Sequence, residues 1–360
     1  MATSFPAAFM RGGTSKGLFI EASQLPFDTL TRDRVLLTAM GSPDKRQIDG
    51  LGGAHPLTSK VALLSPPTHP DADIDYLFLQ VSVETGEVSH AQNCGNMLAG
   101  VGPWAVRKGW VTAREGKTSV RVHMLNTGGL AICDVPTSGG DVIEEGETTI
   151  SGVPGKGAAI SIEFLGLAGA STGALFPTGA KIDHSYGIEA TCIDNGMPVI
   201  LLRANDLGCS GDEAPEDLEQ NHSLKAKIEA IRLDLAVKMN LGDVRNSTVP
   251  KITLLSPPKH GGFVSTRTFI PHRVHQAIGV LGAVSVATGC VIKGTVGEQV
   301  LKGSAPKAAG SPYAVEHPTG YFEVELGVDG ETINRSALVR TARLLMSGDV
   351  FVPKAVWGEE

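Results

Sequence analysis

Two nine-residue stretches of the chain carry nearly the same pattern. They are Ser59-Lys60-Val61-Ala62-Leu63-Leu64-Ser65-Pro66-Pro67 and Pro250-Lys251-Ile252-Thr253-Leu254-Leu255-Ser256-Pro257-Pro258. Each places a lysine before a mostly apolar run of strand length. Each ends at Pro-Pro, where the ring removes a donor and restricts the residue before it. The surroundings repeat as well. An apolar run (Leu18-Phe19-Ile20, then Val199-Ile200-Leu201-Leu202) and a helical pattern (Arg34 to Met40, then Arg232 to Met239) precede each copy. Partial alternation marks further strands at Asp75 to Val83 and Tyr321 to Leu326. Two small-residue segments, Gly95 to Val106 and His275 to Ala287, are apolar on nearly every side. A helix of that kind belongs inside a fold. The pattern predicts an α+β protein made of two copies of one unit, each with strands wrapped around a buried helix. The expected domains are 1–184 and 185–345, with 346–360 a C-terminal segment returning to the first. The acidic, turn-rich stretch from Gly208 to Asn221 reads as a surface loop.

Composition narrows the function. A length of 360 residues suits two domains, and 42% hydrophobic residues supply two cores. A net charge of −7 and 5% aromatics argue against nucleic acid and acidic membrane surfaces as partners. The N-terminus shows no signal-peptide pattern, and no stretch reaches the ~18 apolar residues of a membrane helix. Five cysteines without a CxxC pair argue against a disulfide framework or a structural zinc. A reducing cytoplasm fits, and neither metal nor cofactor is expected.

Chemistry concentrates at a few positions. Cys94 sits between Asn93 and Gly95 at the start of the first buried helix, where the helix end favours a thiolate. Its competing reading is a buried structural cysteine, which is also the reading for Cys133, Cys192, Cys209 and Cys290. Lys60 stands at the edge of an apolar strand, where burial equips a lysine to act as a base. Its competing reading is a strand-edge lysine reaching solvent, and Lys251 shares the position. An ungapped match of the two apolar segments sets His272-Arg273 against Asn93-Cys94. There Arg273 would clamp a carboxylate, or else cap a helix end. The glycines of Arg11-Gly12-Gly13-Thr14-Ser15-Lys16-Gly17 lack the order of a nucleotide loop, and with Ser15 and Lys16 they suit a small-anion nest.

Several motifs resemble one family. They are Met10 to Gly17, Gln47-Ile48-Asp49-Gly50-Leu51-Gly52-Gly53, Leu57-Thr58-Ser59-Lys60-Val61, Asn93-Cys94-Gly95-Asn96, Asp194-Asn195-Gly196-Met197-Pro198, Phe269-Ile270-Pro271-His272-Arg273 and Glu316-His317-Pro318-Thr319-Gly320. In order and over nearly the whole chain, they are similar to the 2-methylaconitate isomerase and 4-oxalomesaconate tautomerase family. The resemblance implies the diaminopimelate epimerase-like fold: two pseudo-symmetric domains, each a curled mixed sheet around a central helix, with the active site between them. It also implies a cofactor-independent isomerase of an unsaturated di- or tricarboxylate, with Lys60 and Cys94 as catalytic residues. The expected reaction is keto–enol or allylic isomerisation of 4-oxalomesaconate in aromatic acid (gallate or protocatechuate) catabolism. A 2-methylaconitate or aconitate isomerase, or a non-catalytic carboxylate binder on the same scaffold, are the alternatives. Candidate substrate contacts are Arg11, Thr14, Ser15, Lys16, Ser59, Asn93, Gly95, Asn96, Met97, Asn195, His272 and Arg273. The expected partner is the small anionic substrate, and the chain is compatible with a homodimer.

Overall fold

The computed structural model describes residues 2–90, 93–271, 273–302 and 311–357. The chain divides into two compact units, Met1–Glu163 with Val339–Glu360, and Phe164–Leu338.

In the first unit, strands Ala2–Gly12 and Ser15–Glu21 form a hairpin. Ser15–Glu21 runs parallel to Lys60–Ser65, which stops where the two prolines begin. The ladder continues antiparallel to Ile74–Val81, parallel to Gly116–Met124, then antiparallel to Gly129–Ser138. The C-terminal strand Ala342–Pro353 pairs along the whole of Ala2–Gly12. Strand alternation gives this sheet two faces. Leu18, Ile20, Val61, Leu63, Leu79 and Val81 pack against Val35, Leu36, Ala39 and Met40 of the outer helix Thr29–Met40. Asp28 caps that helix by accepting from the Thr31 N–H. The other face holds the central helix Gly95–Arg107, whose residues 97–106 are all buried. Its glycines let the sheet close in: a Cβ at Gly100 would lie 2.5 Å from Phe19, and one at Gly102 would lie 2.6 Å from Val135.

The second unit repeats the order. Ile188–Asp194 and Pro198–Arg203 form the hairpin, and Pro198–Arg203 runs parallel to Lys251–Ser256. Val264–Ile270, Tyr313–His317, Gly320–Asp329 and Thr332–Arg340 follow in the ladder. His222–Lys238 is the outer helix and Val280–Val291 the central one, with Gly289 admitting Leu201. The α+β class, with a mixed sheet around a central helix in each unit, agrees with the sequence pattern.

Two details differ from it. The second central helix begins at Val280, behind Gly279, and not at His272-Arg273. Arg273–Val274 instead extends the sheet as a short strand opposite Phe269–Ile270, because the ladder continues through the turn at Pro271. The ungapped match therefore placed Arg273 at a helix start that it does not occupy. The stretch from Gly208 to Asn221 is also more than a surface loop. It contains the helix Pro215–Gln220, and Cys209 and Leu218 are buried in the second unit's outer core. Among the described residues, no helix is long and apolar enough to cross a membrane.

Candidate active site

The site is built on one face of the first unit's sheet. In Ile74–Val81, Leu79 and Val81 turn toward the outer core, so Tyr76, Phe78 and Gln80 take the opposite face. The Tyr76 hydroxyl donates to the carbonyl of Cys94 at 3.2 Å. Two residues along, the Phe78 ring centroid lies 4.8 Å from Lys60 Nζ. Two further, Gln80 Oε1 accepts from Lys60 Nζ at 2.8 Å. Three alternate residues of one strand thus lead from the cysteine to the lysine. Lys60 is only 6% exposed, and its register partners are Gln80 on one side and Gly17 on the other. Glycine is required at 17, since a Cβ there would fall 1.9 Å from the Lys60 carbonyl oxygen.

Cys94 is the N-cap of the central helix, and no side chain caps that end. The first helical bond runs from Leu98 N–H to the Cys94 carbonyl. The N–H groups of Gly95, Asn96 and Met97 have no backbone partner among the described residues, the usual condition of a first turn. Such a terminus attracts anions. Of the five cysteines Cys94 alone is not buried. Burial pushes the Cys133 thiol up to about 12 and raises Cys192 and Cys290 further. Cys209 is raised by burial and by Glu213.

The turn between the first two strands lies against this helix start. A Cβ at Gly12 would meet the Asn96 carbonyl at 2.4 Å. Gly13 has φ +52° and would meet the Asn96 side chain. Asn96 Nδ2 donates to Thr14 Oγ1 at 3.1 Å, while Asn96 Oδ1 accepts the Thr14 N–H at 3.4 Å. Arg11 Nη1 donates to the carbonyls of Gly13 and Thr341, so its role in this structure is to staple the turn. Lys16 Nζ sits 5.5 Å from the Phe9 ring. Ser15 Oγ is buried and has no hydrogen-bond partner among the described residues. Asn93 Nδ2 donates to Thr127 Oγ1 at 2.6 Å, and Asn93 Oδ1 is likewise buried without a partner among the described residues. Unmatched buried polar atoms are costly, and a bound ligand is one way to satisfy them.

Other expected contacts are placed differently. The Ser59 side chain is fully buried and accepts from Gln47 Nε2 at 2.7 Å. Met97 is a fully buried core residue, so only its backbone N–H remains to offer. In the second unit, Asn195 Nδ2 donates to Thr288 Oγ1 and Ser336 Oγ, which ties the amide into that unit's interior. Arg273 is exposed, and His272 lies outside the described residues. Among the described residues, no group of three or more His, Cys, Asp or Glu could hold a metal ion.

Sequence reasoning missed Tyr76, Phe78, Gln80 and Gln47. The first three share an alternation phase that would have grouped them. Gln47 gave a weaker signal: it is buried at φ +47°, and its amide reaches Ser42, Ser59 and the Ala54 N–H.

Comparison with known proteins agrees with this architecture. The family model described as "PrpF protein" matches residues 2–353. The 4-oxalomesaconate tautomerase of Pseudomonas putida is 53% identical over 99% of this chain and 98% of its own length. The (4E)-oxalomesaconate Delta-isomerase of a Novosphingobium species is 52% identical over 97% and 98%. A crystal structure of methylitaconate-delta-isomerase superposes with a TM-score of 0.90 at 35% identity, covering 100% of this chain and 98% of the other. A match of this length, spanning both units, has a single reading: the chain belongs to the PrpF family.

Proposed function

We propose that this protein is an isomerase that moves a proton within an unsaturated tricarboxylate, with 4-oxalomesaconate as its substrate. The observation that carries the reading is the uncapped helix start at Cys94, joined through Tyr76, Phe78 and Gln80 to the buried Lys60. The names of the two relatives above 50% identity support the substrate.

In this reading a substrate carboxylate binds the N–H groups of Gly95, Asn96 and Met97, where the helix end favours negative charge. Lys60 and Cys94 are the proton-transferring pair. One takes a proton from carbon, leaving a conjugated enolate, and the other delivers a proton to the receiving atom. In the reverse direction their roles exchange. The enolate charge is held by fixed donors rather than by water.

Keto–enol exchange and an allylic shift share the same enolate and differ in where the proton returns. Incubating 4-oxalomesaconate, 2-methylaconitate, aconitate and methylitaconate with the enzyme in heavy water, followed by proton NMR, separates them. The reading predicts catalysed exchange with 4-oxalomesaconate, and the carbon that gains deuterium identifies the reaction. Faster turnover of methylitaconate would favour the activity named for the superposed structure. Binding without exchange of any acid would mean a carboxylate binder and would end the proposal.

A further inference from the structure

The geometry points to Gln80 as a positioning residue that presents Lys60 with a neutral acceptor, so that the lysine can release and regain its proton. The inference rests on the reading of Lys60 as a proton-transferring group. Gln80 Nε2 donates to the carbonyl of Ser59 at 2.9 Å and to that of Pro56 at 3.0 Å. Those acceptors fix which end of the amide is nitrogen, since a flipped amide would set its oxygen against two carbonyl oxygens. Oε1 must therefore face Lys60 Nζ, as it does at 2.8 Å. The backbone, not the lysine, orients the amide, and the acceptor stays in place when the lysine is neutral.

The choice of an amide has a consequence. Glutamate has the same length and could accept from Lys60, but its charge would stabilise the ammonium and oppose proton release. Its second oxygen would also face the Ser59 and Pro56 carbonyls. The amide supplies the position without the charge. The titratable groups on the elements around Lys60 are Lys16 and Glu21 on the neighbouring strand, Asp75 and Tyr76 on the facing strand, and Cys94 at the helix start. Asp75 shares the strand phase of Leu79, away from Lys60, and its carboxylate accepts from Thr68 and meets His123. No carboxylate forms an ion pair with Lys60 among the described residues.

The second unit lacks the device. Ile252 lies opposite Phe269, which sets Ile270 beside Lys251 where the first unit has Gln80 beside Lys60. The duplicated lysine occurs without the duplicated acceptor.

The test is the pH dependence of kcat/KM in Gln80→Glu and Gln80→Met, with Lys60→Met as reference. In Gln80→Glu the acid limb should move up by about one pH unit or more, with activity recovering as pH rises. In Gln80→Met, which removes the acceptor and adds no charge, the limb should not move up. A second readout does not use activity: the rate at which cyanate carbamylates Lys60 near pH 8, followed by peptide mass spectrometry. It should fall about tenfold in Gln80→Glu, as one pH unit in proton release implies, and should not fall in Gln80→Met. An acid limb that stays put in Gln80→Glu, or unchanged carbamylation, would overturn the inference. Full turnover by Lys60→Met would instead remove Lys60 from the mechanism, and the carbamylation rates would still judge the role of Gln80.

Discussion

Lys60 and Lys251 each begin the third main strand of their unit, each followed by a largely apolar run and two prolines. Their surroundings are not alike. Lys60 is buried, donates to a fixed amide and lies over an aromatic ring. Lys251 is half-buried and has neither a hydrogen-bond nor an ion-pair partner among the described residues. Burial, and then the nearby Arg232, lower its pKa to about 8. Arg232 is itself fully buried, held by Glu229 and by the carbonyls of Val244 and Val249 just before the strand. The helix starts diverge too, with Cys94 at the N-cap position of one and Gly279 at that of the other. Duplication kept the frame, and only the first copy joins its lysine to a cysteine at a helix end.

The comparison is broken most severely by turnover measurements. Lys60→Met and Cys94→Ala should each lower kcat by about 100-fold or more, with Lys251→Met far less affected. Steady-state kinetics of the three variants side by side decides whether the asymmetry is functional. The next largest effect is on stability. Gly17→Ala sets a Cβ against the Lys60 carbonyl and should cost about 1–3 kcal/mol, read by denaturant unfolding. The matching position in the second unit is Val199, which needs no such gap.

A further effect concerns the pH dependence of Lys251. Folded Lys251 releases its proton near 8, against a usual lysine value of 10.5. Between those values the unfolded chain binds more protons, so the contribution of Lys251 makes stability rise with pH across that window. Lys251→Met should flatten that rise in urea titrations at pH 8 and above. A curve identical to the wild type would mean that Lys251 titrates normally. Smallest of all, Cys209→Ala should leave kcat unchanged, since that thiol is buried in the second unit's outer core.

Much of this was legible in the chain. The repeated strand showed the duplication, and the prolines marked where Lys60–Ser65 and Lys251–Ser256 end. The small-residue segments showed the central helices because glycines at such positions admit a neighbouring sheet. The second helix start was misplaced, because an apolar segment of that composition has no marked beginning and an ungapped match cannot see a strand pair such as Arg273–Val274. Lys60 and Cys94 stood out as a charge on an apolar strand and a thiol beside glycine at a helix start. Gln80, Tyr76 and Phe78 did not, because their importance comes from lying opposite residues 18 to 20 positions away. Ser59 and Met97 share motifs with reactive neighbours, but the Ser59 hydroxyl is bonded to Gln47 and the Met97 side chain packs in the core.

The most direct test of the central claim is solvent-deuterium incorporation into 4-oxalomesaconate by the wild type, Lys60→Met, Cys94→Ala and Lys251→Met under identical conditions. The assignment of Lys60 and Cys94 as the proton-transferring pair predicts exchange by the wild type and by Lys251→Met, and its loss in the two first-unit variants. Exchange that survives in Lys60→Met and Cys94→Ala, or disappears in Lys251→Met alone, would contradict it.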